Sequence, residues 1–69
     1  MITVIIKNIN EEVLETVGMP VVPREGEKVC FHVAGSLVTG YVKSVAYLLG
    51  NNGLLSSVDI TLTNITYYG

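Results

Sequence analysis

The sequence predicts an all-β fold, a small antiparallel barrel or strongly curved sheet of four to five strands. Three observations predict it. Val, Ile, Thr and Tyr dominate the chain, while alanine stands only at Ala34 and Ala46, a residue usage that suits strands. The run Val58-Asp59-Ile60-Thr61-Leu62-Thr63 alternates apolar and polar side chains without a break, the period of a strand with one buried face. Gly40 sits inside a long strand-like run, Leu37 to Leu49, and a glycine there marks a bulge or bend of the kind a barrel corner needs.

Each element follows in order. Ile2 to Ile9 reads as the first strand, with Ile2, Val4 and Ile6 on one face and Thr3, Ile5 and Lys7 on the other. Residues 11–17 have two readings. Asn10, Glu11, Glu12, the spacing of Val13, Leu14 and Val17, and Gly18 fit one short helical turn. A polar turn over Asn8 to Glu12, then a returning strand Val13 to Val17, fits equally and is preferred, because a two-turn helix is marginal alone. Met19 to Pro23 cannot lie in a central strand. Pro20 and Pro23 have no N–H to donate and push their predecessors to extended geometry. Arg24 to Glu27 is then a turn, with Gly26 free to take a positive φ. Lys28 to Val33 is a strand with Val29, Phe31 and Val33 on its inner face. After a turn at Ala34-Gly35-Ser36 comes the long strand with Gly40. Gly50-Asn51-Asn52-Gly53 is a hairpin turn, and Leu54 to Thr66 returns as the last strand with Val58, Ile60 and Leu62 inward.

The 69 residues make one small domain over residues 1–69. A domain of this size buries only about 60% of its unfolded surface and usually needs a helper. The single cysteine, Cys30, excludes an internal disulfide and suits a reducing compartment. One Cys and one His fall short of a structural metal site within one chain. Oligomerisation or partner binding remains, and composition supports it. Hydrophobic residues are 49% and charged residues 14%, against about 25% charged in ordinary domains, so apolar surface must face outward. The net charge of -2 and only four basic residues argue against nucleic acid as a partner. No basic region precedes the apolar run at the N-terminus and no segment approaches a membrane span. The expected location is the cytoplasm, including that of an infected bacterial host.

Pro20, Pro23, Gly26, Glu27 and Val29, then Gly40, Val42, Val45 and Tyr47, then Val58, Ile60 and Leu62 form a pattern that resembles small SH3-like β-barrel proteins of bacteriophage and prophage type. It covers about two thirds of the chain. The resemblance implies a fold and a phage-like origin. It implies no reaction and carries over no catalytic residue.

Side chains that carry chemistry elsewhere are sparse. Cys30 and His32 are two apart on one strand and so point to one face. They could be a nucleophile and base, or half of a zinc site shared between two copies, but nothing supplies the orienting group or oxyanion hole that catalysis requires. A buried small Cys and a surface His are the simpler account. The carboxylates lie mostly in turns. The tyrosines are more informative. On a regular strand Tyr41, Lys43, Val45, Tyr47 and Leu49 share one face, opposite Val38, Val42, Ala46 and Leu48. Both faces are apolar, and a one-layer sheet has one core. The second face therefore calls for another element of the chain, such as the N-terminal segment over a strand bent at Gly40, or for a partner or a second copy, with Tyr67 and Tyr68 adding two interface-favoured aromatics.

The expected function is a non-enzymatic interaction protein that self-associates as a homo-oligomer and binds another protein, such as a phage-encoded structural or inhibitory factor countering host defence. No cofactor or metal is expected. The competing readings are an oligomer binding a small ligand or nucleotide between subunits, and a small barrel stacking single-stranded nucleic acid on its aromatics.

Overall fold

The computed structural model describes residues 1–69. Five strands follow in order: β1 (Ile2–Lys7), β2 (Val13–Met19), β3 (Lys28–Val33), β4 (Ser36–Leu49) and β5 (Leu55–Tyr68). They form one sheet in the order β2-β1-β5-β4-β3, curled strongly into a half-barrel. Residues 11–17 hold no helical turn. Glu11 and Glu12 lie in the turn, and Val13 starts the returning strand, hydrogen-bonded to β1. Two turns of helix would have left Leu14, Val17 and Met19 a small apolar stripe; the hairpin instead packs all three against the core.

The sheet is not wholly antiparallel. β1 pairs β2 antiparallel and β5 parallel, from Val4 opposite Val58 to Lys7 opposite Thr61. The sheet also stays open. β2 and β3 are its two edges, and residues 20–27 connect them across the mouth of the half-barrel. This connector makes no strand, as its two prolines require.

The core lies on the concave face. It consists of Val4, Ile6, Val29, Phe31, Val38, Val42, Val58, Ile60 and Leu62. The alternation read from β1, β3 and β5 places these inward residues as expected, with Val4, Ile6, Val58, Ile60 and Leu62 fully buried and Val33 half-buried.

Irregularities in the ladders bend the long hairpin. Between Thr39 and Tyr41, two residues of β5, Asn64 and Ile65, stand opposite Gly40 alone. The extra residue thus belongs to β5, and Asn64 takes a φ of 54° there, a conformation Asn tolerates better than most. Gly40 is needed for space: a Cβ on it would lie 3.1 Å from Leu62 Cβ and 3.3 Å from Ile65 Cγ1. A second shift falls between Val42 and Ser44, which oppose the adjacent residues Leu62 and Thr61, so Lys43 is the extra residue on β4.

The turns show how the chain reverses. Ala34 and Gly35 have φ of 49° and 87° and join Val33 to Ser36 as a two-residue hairpin, the type I′ pattern. The Gly50–Gly53 turn is of another kind. Gly53 donates to the Gly50 carbonyl, Gly50 donates to that of Leu54, and only Gly53 has positive φ. This is a three-residue loop closing on a left-handed residue. The Asn8–Glu12 loop repeats it bond for bond. Glu11 N–H donates to Asn8 O and Asn8 N–H to Glu12 O, with Glu11 at φ 64° in the place of Gly53. The Asn8 side-chain oxygen also accepts from the N–H groups of Asn10 and Glu12.

Candidate interaction surface

β4 and β5 are each 14 residues long, twice the length of the other strands or more, and they outrun their neighbours. β3 covers β4 only as far as Tyr41, and β1 covers β5 only from Val58 to Thr61. The molecule is accordingly long, 42 × 21 × 20 Å. From Leu48 to Ser57 the hairpin projects beyond both neighbours as an arm, and the outer edge of β4 is free from Ser44 onward. On the β4 side of this arm no strand follows: the last bonds there are Gly26 N–H to Val42 O and Val42 N–H to Glu27 O.

The arm is apolar where a hairpin tip is ordinarily polar. Tyr47, Leu48, Leu49, Leu54 and Leu55 are all exposed, Leu49 by 63% and Leu54 by 67%. The turn brings Leu48-Leu49 back beside Leu54-Leu55, with Leu49 opposite Leu55 on the face that carries Tyr47 and Leu48 on the other. No charged residue occurs between Lys43 and Asp59.

The extra residue at Lys43 reorganises the face read from the sequence. Directly opposed residues of antiparallel strands share a face. Tyr41 opposes Thr63 on the convex side, while Val45 opposes Ile60 and Tyr47 opposes Val58 on the concave side. Tyr41 and Tyr47 are therefore on opposite faces, and the shared tyrosine face does not form. Strict alternation fails here because one inserted residue inverts all that follows. Val45 is half-buried against the core, and Tyr47 and Leu49 continue its face out along the arm. Lys43 is exposed at the bulge. Tyr67 and Tyr68 pair with Val38 and Leu37 at the far end of the hairpin, about 30 Å from Tyr47 at about 3.3 Å per residue. Of the residues singled out from sequence, the structure thus joins Val45, Tyr47 and Leu49 and separates Tyr41, Tyr67 and Tyr68 from them. It adds Leu48, Leu54 and Leu55. The signal for these was the two Leu-Leu pairs flanking an Asn-Gly turn.

The charged connector has a structural role. Glu27 N–H donates to Arg24 O, closing a turn in which Gly26 has a φ of 87°, as a type II turn demands of its third residue. The Glu27 carboxylate accepts from the Arg24 backbone N–H at 2.7 Å. That bond, ahead of the Arg24 charge, holds its pKa below the ordinary value. Behind the connector, Met19, Val21, Val22, Pro23 and Val29 line an open groove of about 560 Å³.

On the convex face Lys7 Nζ lies 2.6 Å from Asp59 Oδ2, both side chains largely screened from water. The Asp59 contact raises the Lys7 pKa. Asp59 Oδ1 is buried without a hydrogen-bond partner. Cys30 and His32 are both exposed on β3, which places Cys30 outside the core, contrary to the simpler account. Position 30 opposes Thr39 on the face away from Val29 and Phe31. No three His, Cys, Asp or Glu side chains come together as a metal site, and no helix is long and apolar enough to cross a membrane. No family model matches the chain, and neither a curated protein nor a solved structure does.

Proposed function

We propose that this protein is a non-enzymatic interaction module that self-associates and holds a protein partner through the β4–β5 arm. The observation that carries the reading is the apolar, charge-free arm itself. Five large apolar side chains stand exposed along one arm, four on its strands and Leu54 beside its turn, and exposed apolar surface on small domains marks interaction sites. Burying such a side chain fully is worth about 1.5–3 kcal/mol. Covering these half-exposed side chains therefore supplies several kcal/mol to a chain with only nine residues in its core. Tyr47 has the amphipathic, low-entropy character favoured at such sites. Through the resemblance, the proposal includes a phage-encoded structural or inhibitory role in the cytoplasm of a bacterial host.

A comparison of variants tests it. Leu49→Lys and Leu54→Lys place a charge on the arm, where it costs no core packing, and should abolish association in sedimentation. Tyr67→Ser and Tyr68→Ser, at the far end, should leave association unchanged. The reverse pattern would move the working surface to the far end and sink the assignment.

The groove behind the connector favours a second reading. Its volume of about 560 Å³ falls in the range of small-ligand sites, and five apolar side chains line it. A thermal-shift screen of apolar ligands and nucleotides, repeated on Val22→Asp, tests this. A stabilising ligand lost with that variant supports it; no shift with any ligand contradicts it.

A further inference from the structure

We infer that the occupant of the arm is a second copy of this chain, joined edge to edge through an antiparallel pairing of Ser44–Leu49 of β4 with the same segment of its partner. This rests on the arm being the interaction surface and specifies what covers it.

The free stretches of edge in the sheet differ in how they are guarded; that of β5 beyond Thr61 is broken by the bulge at Asn64 and flanked by Asn8 and Ile9, which share a groove with it. Exposed strand edges offer unpaired N–H and C=O groups and are ordinarily blunted by charge, proline or a covering loop. The β2 edge carries Glu15 facing the concave side opposite Ile6, and follows Glu11 and Glu12. The β3 edge begins at Lys28 and is flanked by the proline-bearing connector, whose side chains share one groove with it. The β4 edge beyond Val42 has none of these. Ser-Val-Ala-Tyr-Leu-Leu is six residues of high β-propensity with no charge, no proline and no glycine, the composition that pairs with its own copies.

Charge suits a self-contact. A two-fold interface sets each residue patch against the same patch of the partner, so any charge meets its like. The segment from Ser44 to Val58 holds no charge at all. Arms laid antiparallel, edge on edge with each tip along the other's base, cover the free β4 edge along its length. The product is a continuous ten-stranded sheet in which the least guarded edge is no longer free.

The geometry gives a test. A two-fold axis perpendicular to the sheet sets one residue of Ser44–Leu49 directly opposite its own copy. In a Cys30→Ser background, single substitutions Val45→Cys, Ala46→Cys, Tyr47→Cys and Leu48→Cys are oxidised in turn. A disulfide needs Cα atoms within about 7 Å, so one position should cross-link rapidly and its neighbours poorly. A Tyr68→Cys control should not cross-link. In the unmodified chain, the amides of the free edge of Ser44–Leu49 should exchange about tenfold or more slowly at high concentration than on dilution. A dimer by mass without cross-linking or concentration-dependent protection overturns the edge pairing and leaves the arm as interaction surface. A monomer at every concentration overturns the edge pairing and self-association together.

Discussion

Three residues that are not glycine hold left-handed backbone: Glu11, Ala34 and Asn64. For a side chain with a Cβ this conformation costs roughly 1–2 kcal/mol. The Asn8–Glu12 loop is where this cost can be tested, because its twin at Gly50–Leu54 has glycine where it has glutamate. Glu11→Gly should therefore stabilise the protein by about 1 kcal/mol, read as a higher midpoint in urea. Ala34→Asn should act in the same direction, since Asn tolerates that region better. Gly40→Ala should act oppositely. Its Cβ would press on Leu62 and Ile65 at 3.1–3.3 Å, and overpacking of this kind costs about 1–3 kcal/mol. Gly40 was legible as a place of bending, because little else explains glycine within a long strand. That the extra residue is Asn64, on the partner strand, was not. Register is a property of two strands, and the local sequence of either one states only its own alternation.

At the scale of elements, the sequence was readable wherever one face was buried. Val4 and Ile6, Val29 and Phe31, and Val58, Ile60 and Leu62 alternate and lie inward as alternation requires. It was unreadable along β4 past Val42. There both faces are apolar, so no pattern opposed the inversion that Lys43 introduces. The connector was legible through its prolines and Gly26, and its chemistry yields a pH prediction. The folded Glu27 pKa is depressed, chiefly by the Arg24 N–H. The stabilisation is therefore complete above the ordinary value of 4.5 and is lost as pH falls through the lowered folded value. Wild type should exceed Glu27→Gln in urea midpoint at neutral pH, and the two should converge in acid. On the convex face, Lys7 and Asp59 form a shielded pair. Removing one partner strands the other's charge, so Lys7→Met and Asp59→Leu should each destabilise more than the double variant. Urea midpoints of all four proteins measure that coupling.

At the scale of the whole molecule, composition stated the problem before the fold was known. A chain with 49% hydrophobic and 14% charged residues cannot hide its apolar surface in a nine-residue core. The fold concentrates the remainder. An open half-barrel carries a hairpin longer than its neighbours can cover, and the uncovered part is uncharged and rich in leucine. Where the excess would gather was not legible, since it depends on β1 and β3 being less than half as long as β4 and β5. In the proposed function, association is the means by which a small core is supplemented. The most direct test is the mass of the native protein by sedimentation equilibrium across a dilution series. The monomer mass is 7.4 kDa. The account predicts twice this mass at micromolar concentration, falling to the monomer value in Leu49→Lys. A wild-type mass of 7.4 kDa throughout the series would contradict it.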